Sequence, residues 1–208
     1  MPAADNGATS QPCSRGGAAT YEKFDGVAER VAFKSWRERL WRLVPAGRVL
    51  EVGVGTGANM RHYPKEVMVT AVDRNRCMLE RARQRARACG FSADLQVMDV
   101  HHLGFPDSSF DSVVATLVFC SVSDPVSGLR ELGRVVKPGG YIYLVEHMRA
   151  DVPWLGRLMD GFDWIVGHFS GERFARRTVE NVRLAGLKVE RVENLVPTGI
   201  VKLVVAGR

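Results

Sequence analysis

The stretch that decides the fold is Arg48-Val49-Leu50-Glu51-Val52-Gly53-Val54-Gly55-Thr56-Gly57. Its first five residues read as a short, mostly apolar strand, and three glycines at alternate positions follow without a break. Glycine has no Cβ, so such a loop lets backbone come close to a ligand that other residues would hold off. With Ala58 the spacing also satisfies the dinucleotide fingerprint Gly-x-Gly-x-x-Gly/Ala, and Asp73 stands where that fold places its ribose-binding acid. On the loop alone, a nicotinamide-linked oxidoreductase is one reading.

Working outward, Val-rich strands are predicted at 67–72, stopped by Asp73, and at 95–98, stopped by Asp99. Residues 112–119 are nearly all apolar, as a strand covered on both faces should be. Helices are predicted directly after the glycine loop, over 74–88 and over 125–136. The last of these ends at the turn signal Lys137-Pro138-Gly139-Gly140, which leads into a strand at 141–145. Upstream, Phe24, Val27, Val31, Leu40 and Leu43 make an apolar stripe on a helix over 21–43, ended by Pro45. Downstream come an aromatic-rich stretch over 152–169, a helix near 173–185, and a hairpin of strands 188–196 and 200–206 about Pro197-Thr198-Gly199. Alternating strands and helices predict an α/β fold: a Rossmann-like, doubly wound, seven-stranded sheet, mostly parallel, with an antiparallel C-terminal hairpin.

The 208 residues suit one domain, here 21–208, with residues 1–20 read as a disordered leader and 150–170 as an aromatic lid. The longest apolar run, at about 11 residues, falls short of the ~20 a bilayer-spanning helix needs. Cys13, Cys77, Cys89 and Cys120 form no Cys-x-x-Cys pair, so no structural zinc site is expected, and free thiols in a cytoplasmic setting fit best. A net charge of +6 favours acidic partners without choosing among them. Arg81, Arg83, Arg85 and Arg87 flank the apolar side of helix 74–88 with no aromatics between them for base stacking. They read as a solvated basic face, and no nucleic-acid partner is expected.

Three further features join the loop: Glu51 two positions before the first glycine, Asp99 after the third strand, and Phe110-Asp111 opening the fourth, followed at a distance by Lys137-Pro138-Gly139-Gly140. This ordered set resembles the class I S-adenosylmethionine-dependent methyltransferases over about 21–208. The resemblance implies S-adenosylmethionine as cofactor and S-adenosylhomocysteine as product. It makes Glu51 a cofactor-binding residue, and puts Gly53, Gly55 and Gly57 in the loop beneath the methionine portion and Asp73 on the ribose hydroxyls. Arg74 and Met78 fall beside the adenine, Asp99 and the backbone of Val100 at its edge, and Thr116 with Leu117 under the sulfonium. Tyr21 is placed as a cover from the N-terminal helix.

Methyl transfer from a sulfonium is an in-line displacement, which asks for alignment and water exclusion rather than a metal or a covalent intermediate. Acceptor-side candidates lie past the fourth and fifth strands: Phe119, Cys120 and Arg149, with His147 and Glu146 as candidates for proton transfer. His147 has the ring pKa suited to that task, and its alternative is a structural histidine at a strand end. Trp154 and Trp164, with Phe162 and Phe169, suggest an apolar acceptor pocket or a peripheral membrane contact. Within the class, Glu146-His147 and Pro197-Thr198-Gly199-Ile200 are similar to small bacterial phospholipid N-methyltransferases. Gly57-Ala58-Asn59, Tyr63-Pro64 and the run from Thr116 to Val122 resemble thiol S-methyltransferases. The general layout is similar to quinone C-methyltransferases, without their Asn-Arg signature. All three imply a small or lipid-like acceptor, with an amine or a thiol preferred.

Overall fold

The computed structural model describes residues 33–91, 94–170 and 176–208, with the backbone alone over 162–170. The expected leader, Tyr21 and the first half of the predicted helix 21–43 lie outside the described residues. In chain order the elements are α1 (Lys34–Trp41), β1 (Gly47–Val52), a single 3-10 turn (Met60–His62), β2 (Val67–Asp73), α2 (Arg76–Ala88) and β3 (Asp94–Val97). Then come β4 (Phe110–Thr116), α3 (Pro125–Val135), β5 (Val136–His147), α4 (Pro153–Ser170), α5 (Thr178–Leu184), β6 (Lys188–Asn194) and β7 (Val201–Gly207).

The seven strands form one sheet in the order β3-β2-β1-β4-β5-β7-β6. β1 pairs in parallel with both β2 and β4, while β7 runs antiparallel to β5 and β6. The chain winds outward from β1 to β3, then returns to start again at β4 on the other side of β1. That reversal opens a crevice at the carboxyl ends of β1 and β4, where open α/β sheets bind ligands.

Both faces of the sheet are dry, which is why its central strands carry almost uninterrupted apolar residues. Leu50, Val113, Ile142 and Leu144 pack on one face with Leu129 and Leu132 of α3 and Val182 of α5. Val49, Val69, Val114 and Val145 pack on the other with Leu40 and Trp41 of α1 and Leu79 and Ala82 of α2. Burial of each such side chain stabilises the fold by about 1.5–3 kcal/mol relative to exposure.

Local chemistry sets the helix starts. The Asn75 side chain accepts from the backbone N–H groups of Cys77 and Met78, so α2 begins at Arg76 rather than at the predicted residue 74. Asp124 accepts from Ser127 N at 3.1 Å, and Pro125 takes a first-turn position of α3 where its missing N–H costs nothing.

Three expectations are corrected. The glycine loop leads into turns and the short 3-10 turn, not an α-helix. The run Lys137-Pro138-Gly139-Gly140 lies inside β5, where the register jumps from Phe110↔Val136 to Ser112↔Tyr141. Gly139 there has a φ of +77°. A Cβ on Gly140 would come within 2.6 Å of the Asp111 carbonyl oxygen, so the bulge admits only glycine at that position. Asp111 fastens this bulge to β1 by pairing with Lys137 and accepting from Arg48 N at 2.8 Å. Those contacts, the lysine first, hold its carboxyl below the usual range. Lastly, Cys77 is disulfide-bonded, against the expectation of four free thiols, whereas Cys89 and Cys120 are free.

Candidate active site

A cavity of about 630 Å³ occupies the crevice at the carboxyl ends of β1, β2 and β4, within the range of small-molecule sites. The topology brings distant residues together there. Gly53 and Gly55 come from the loop after β1, Asp73 and Arg74 from the end of β2, Met78 from the first turn of α2, and Asp99 and Val100 from the turn after β3. Thr116 and Leu117 arrive from β4, Cys120 and Ser121 from the segment beyond it, and His147 from the end of β5.

The glycine loop is held in an unusual backbone shape, with φ of +68° at Gly53, +54° at Gly55 and +81° at Gly57. Asp73 stabilises that shape, its Oδ2 accepting from Gly55 N at 2.9 Å and its Oδ1 from Asn75 N at 2.8 Å. A Cβ on Gly55 would meet no atom within 4 Å, so this glycine faces open space on the cavity side. Gly57 has a different task from the one the resemblance assigned. Its Cβ would strike the Met60 sulfur at 2.8 Å, so it serves close packing onto α2 and does not line the cavity.

Beneath the loop lies a polar network. Glu51 is 1% exposed; its Oε1 accepts from Asn59 Nδ2 at 2.6 Å and its Oε2 accepts from the Tyr63 hydroxyl. Asn59 in turn accepts from Arg37 Nη1 at 2.7 Å and donates to Thr116 Oγ1 at 3.1 Å. Burial pushes the Glu51 carboxyl up to about 7, even though Tyr63, Asn59 and the Arg37 charge all favour its ionised form. Burial, then the adjacent Glu51, raises the Tyr63 phenol well above its ordinary range, so Tyr63 stays a donor.

At the β3 end of the cavity, Asp99 Oδ1 accepts from His101 N at 2.9 Å and meets His101 Nδ1 at 2.6 Å. Partial desolvation raises its carboxyl, but the His101 contacts outweigh it and the net shift is downward, leaving a carboxylate at the cavity edge. At the far side, burial lowers the His147 ring below its ordinary value, so the imidazole is neutral at pH 7.

Several acceptor-side expectations fail. Phe119 is fully buried among core residues and is absent from the cavity wall. Arg149 turns away to a bidentate pair with Asp160 of α4. Trp154 is 67% exposed on α4 and is not on the wall of this cavity. Trp164 belongs to the same helix, but its side chain lies outside the described residues, as does Tyr21. Glu146 has no exposed surface and is not on the cavity wall; its Oε1 accepts from Val118 N at 2.9 Å and Phe119 N at 3.1 Å. Residue parity explains part of this: His147 reaches the cavity and Glu146, its neighbour along β5, points the other way.

Arg37, Asn59 and His101 receive no site role from the sequence although all three border the cavity. Arg37 sits among solvated arginines on its helix and looks no different from them. The Asn59 amide carried a signal: it follows the glycines closely enough to fold back on Glu51.

Two groups of features fit S-adenosylmethionine here: a glycine cradle that a Cβ would fill, and two carboxylates at the ends of β2 and β3. Residues 50–144 match the family described as "Methyltransferase domain". Over 107 residues the chain is 41% identical to a phosphatidylethanolamine N-methyltransferase of Cereibacter sphaeroides, covering 50% of this chain and 53% of that one. It is 39% identical over 103 residues to the thiol S-methyltransferase TMT1B of Rattus norvegicus, covering 48% and 42%. It is also 31% identical over 144 residues to the ubiquinone/menaquinone biosynthesis C-methyltransferase UbiE of Geotalea daltonii, covering 60% and 61%. The chain thus spans about half the length of the curated relatives it matches. A SAM-dependent methyltransferase structure from Methanosarcina mazei superposes with a TM-score of 0.65 at 26% identity, covering 80% of this chain and 94% of that one. The nicotinamide reading of the glycine loop gives way to these matches: residues 50–144 match a methyltransferase domain, and the fold is that of S-adenosylmethionine-dependent methyltransferases, which implies S-adenosylmethionine as the cofactor.

Proposed function

We propose that this protein methylates the amine or thiol of a small or lipid-like acceptor. The carrying observation is the character of the cavity's far wall, where Leu117, Val118 and Val122 surround Cys120, Ser121 and one neutral imidazole, His147. Such a wall receives an apolar molecule and leaves one proton acceptor beside its reactive end.

When bound, S-adenosylmethionine supplies an electrophilic methyl group on a sulfonium and leaves as S-adenosylhomocysteine. The chain's own residues align it. Asp73 would hold the ribose hydroxyls, Asp99 and the Val100 backbone the adenine edge, and the Gly53 and Gly55 backbone the methionine portion. Arg74 and Met78 would flank the adenine, and Thr116 with Leu117 would lie below the sulfur. Glu51, on the cavity wall and bonded to Asn59, would put an ionisable carboxyl near a cationic donor. An acceptor amine or thiol gives its proton to the unprotonated ring of His147, which frees the lone pair for attack in line with the departing sulfur. Cys120 serves as wall and not as nucleophile.

A lipid surface is the proposed source of acceptor. Trp154 and Leu158, exposed by 67% and 64% and one turn apart on α4, form an apolar stripe suited to peripheral contact, on the cytoplasmic side. Among the described residues no helix is long and apolar enough to cross a membrane. Quinone-ring C-methylation is the second reading, favoured by the likeness to UbiE alone.

The test is mass spectrometry after incubation with methyl-labelled S-adenosylmethionine and three acceptors: phosphatidylethanolamine vesicles, an aliphatic thiol and a quinol. Label is expected in the first or second. Label on the quinol ring alone overturns the amine-or-thiol assignment.

A further inference from the structure

Glu146 carries more weight in the fold than a lost catalytic candidate would. It lies one residue beyond the last pairing of β5 with β4, Thr116↔Val145, and so directly beneath the segment 117–122 that leaves β4. That segment starts with a sharp turn at Leu117, whose φ of +56° is rare for a branched side chain, while Leu117 N still donates to Val145 O at 2.8 Å. Its next amides, of Val118, Phe119 and Cys120, point at the Glu146 carboxylate.

Each residue so fixed has a separate duty. Val118 packs against the glycine loop so closely that a Cβ on Gly53 would overlap its Cγ2. Phe119 anchors the segment in the core, 3.2 Å from where a Cβ on Gly128 of α3 would stand. Cys120, Ser121 and Val122 form the acceptor wall. The far end is tied as well, with Arg176 Nη2 donating to Val122 O at 2.8 Å.

We propose that Glu146 is a positioning residue for methyl transfer: it fixes the segment 117–122 and, through Val118 on Gly53, sets the donor loop and the acceptor wall at one spacing. An in-line displacement is sensitive to such spacing, since a misplacement of about 1 Å can cost ~100-fold in rate. The arrangement is also expensive to keep. Glu146 Oε2 is buried without a hydrogen-bond partner, and burial pushes the carboxyl up to about 7. A residue of no consequence to the site would more simply be apolar.

The inference rests on the reading of the cavity as the methyl-donor site, and the experiment separates the two. Full-length Glu146→Gln, Glu146→Asp, Glu146→Ala and Val118→Ala are each titrated with S-adenosylhomocysteine by calorimetry. Amide hydrogen exchange is followed in peptides spanning 117–122. The glutamine carbonyl can still accept the Val118 and Phe119 amides that Oε1 accepts, so Glu146→Gln should bind within threefold of wild type with unchanged exchange. Glu146→Ala and Glu146→Asp should bind at least tenfold more weakly, with exchange at 118–119 faster by at least 100-fold. Val118→Ala should weaken binding threefold or more while its neighbours' amides stay protected. If Glu146→Ala does not fold, the aspartate and Val118 variants decide. A folded Glu146→Ala or Glu146→Asp with wild-type affinity overturns the proposal, and so does a Glu146→Gln as impaired as alanine, because the charge itself would then be acting. A wild-type protein that fails to bind the ligand refutes the cavity reading instead.

Discussion

Gly53 and Gly55 stand two residues apart in one loop, yet adding a single methyl group to each should break different properties. Both have positive φ, so alanine costs about 1–2 kcal/mol at either position from the left-handed backbone alone. At Gly53 the new Cβ would also overlap Val118 Cγ2 and lie 3.1 Å from Cγ1, and forcing atoms into a packed site adds roughly 1–3 kcal/mol. The total, ~2–5 kcal/mol, corresponds to a fall in Tm of about 4–20 °C for a chain of this size. At Gly55 no neighbour lies within 4 Å, so the Tm should drop by only about 2–8 °C. There the methyl projects into the open cavity, in the space proposed for the methionine portion of the cofactor. Thermal melts and calorimetry with S-adenosylhomocysteine on Gly53→Ala and Gly55→Ala separate the effects. Gly55→Ala should stay folded and bind at least 100-fold more weakly. Binding within threefold of wild type would refute the close approach of this loop to the ligand, and an unshifted Tm in Gly53→Ala would refute its packing on Val118.

Other expectations follow from the buried charges and the surface. Glu51 and Glu146 both ionise near pH 7 in the fold against an ordinary 4.5. A raised folded pKa gives stability that is complete below the unfolded value and lost as pH climbs through the folded one, so stability should decline between about pH 4.5 and 7 and then level off. His147, lowered by burial, acts in the opposite sense below its ordinary 6.5. At ~1.4 kcal/mol per pH unit each carboxyl contributes up to about 3 kcal/mol, and urea midpoints of Glu51→Gln should show a distinctly shallower decline; an unchanged slope contradicts the assignment. Arg37→Met removes a cation that lines the cavity, beside the proposed methionine subsite, and the donor to Asn59. It should weaken S-adenosylhomocysteine at least tenfold but leave 5′-methylthioadenosine, which lacks the amino-acid group, unaffected; equal loss for both ligands would place Arg37 outside that subsite. His147→Ala should cut turnover roughly 100-fold near pH 7 with cofactor affinity kept, and normal turnover across neutral pH would dismiss it as the proton acceptor. Trp154→Ala with Leu158→Ala should reduce co-sedimentation with phospholipid vesicles without lowering Tm, since both side chains are exposed; undiminished binding would move the contact elsewhere.

The donor half of the site was legible because its chemistry is written in local order. Glycines that need positive φ and acids that end strands stay recognisable whatever packs around them, and Gly53, Gly55, Asp73 and Asp99 all reach the cavity. The seven strands were legible for the same reason, through period and punctuation. Strand ends were less so: β4 stops at Thr116 because Leu117 turns with positive φ, which no residue type announces. Lys137-Pro138-Gly139-Gly140 looks like a turn and is a bulge, since a register shift against a neighbouring strand is a non-local property. The acceptor half depends on which way side chains face. Glu146 and His147 are adjacent in sequence yet lie on opposite sides of β5, and Arg149 had a closer partner in Asp160 than any ligand. Trp154, expected in an acceptor pocket or at a membrane surface, stands in solvent, because a single aromatic helix does not say which of its faces is covered.

The central claim, a cofactor lying across the ends of β1 and β2 with its ribose on Asp73, is tested most directly by calorimetry on the full chain. S-adenosylhomocysteine and NADH are titrated in parallel into wild type and Asp73→Ala, with circular dichroism confirming that both are folded. Two hydrogen bonds from ribose hydroxyls to a carboxylate are worth about 1.5–3 kcal/mol each, so Asp73→Ala should weaken S-adenosylhomocysteine by ~100-fold or more. Wild type should bind one equivalent of it and no NADH. A folded wild type that gives no heat with S-adenosylhomocysteine, or an Asp73→Ala that binds it as tightly as wild type, contradicts the account.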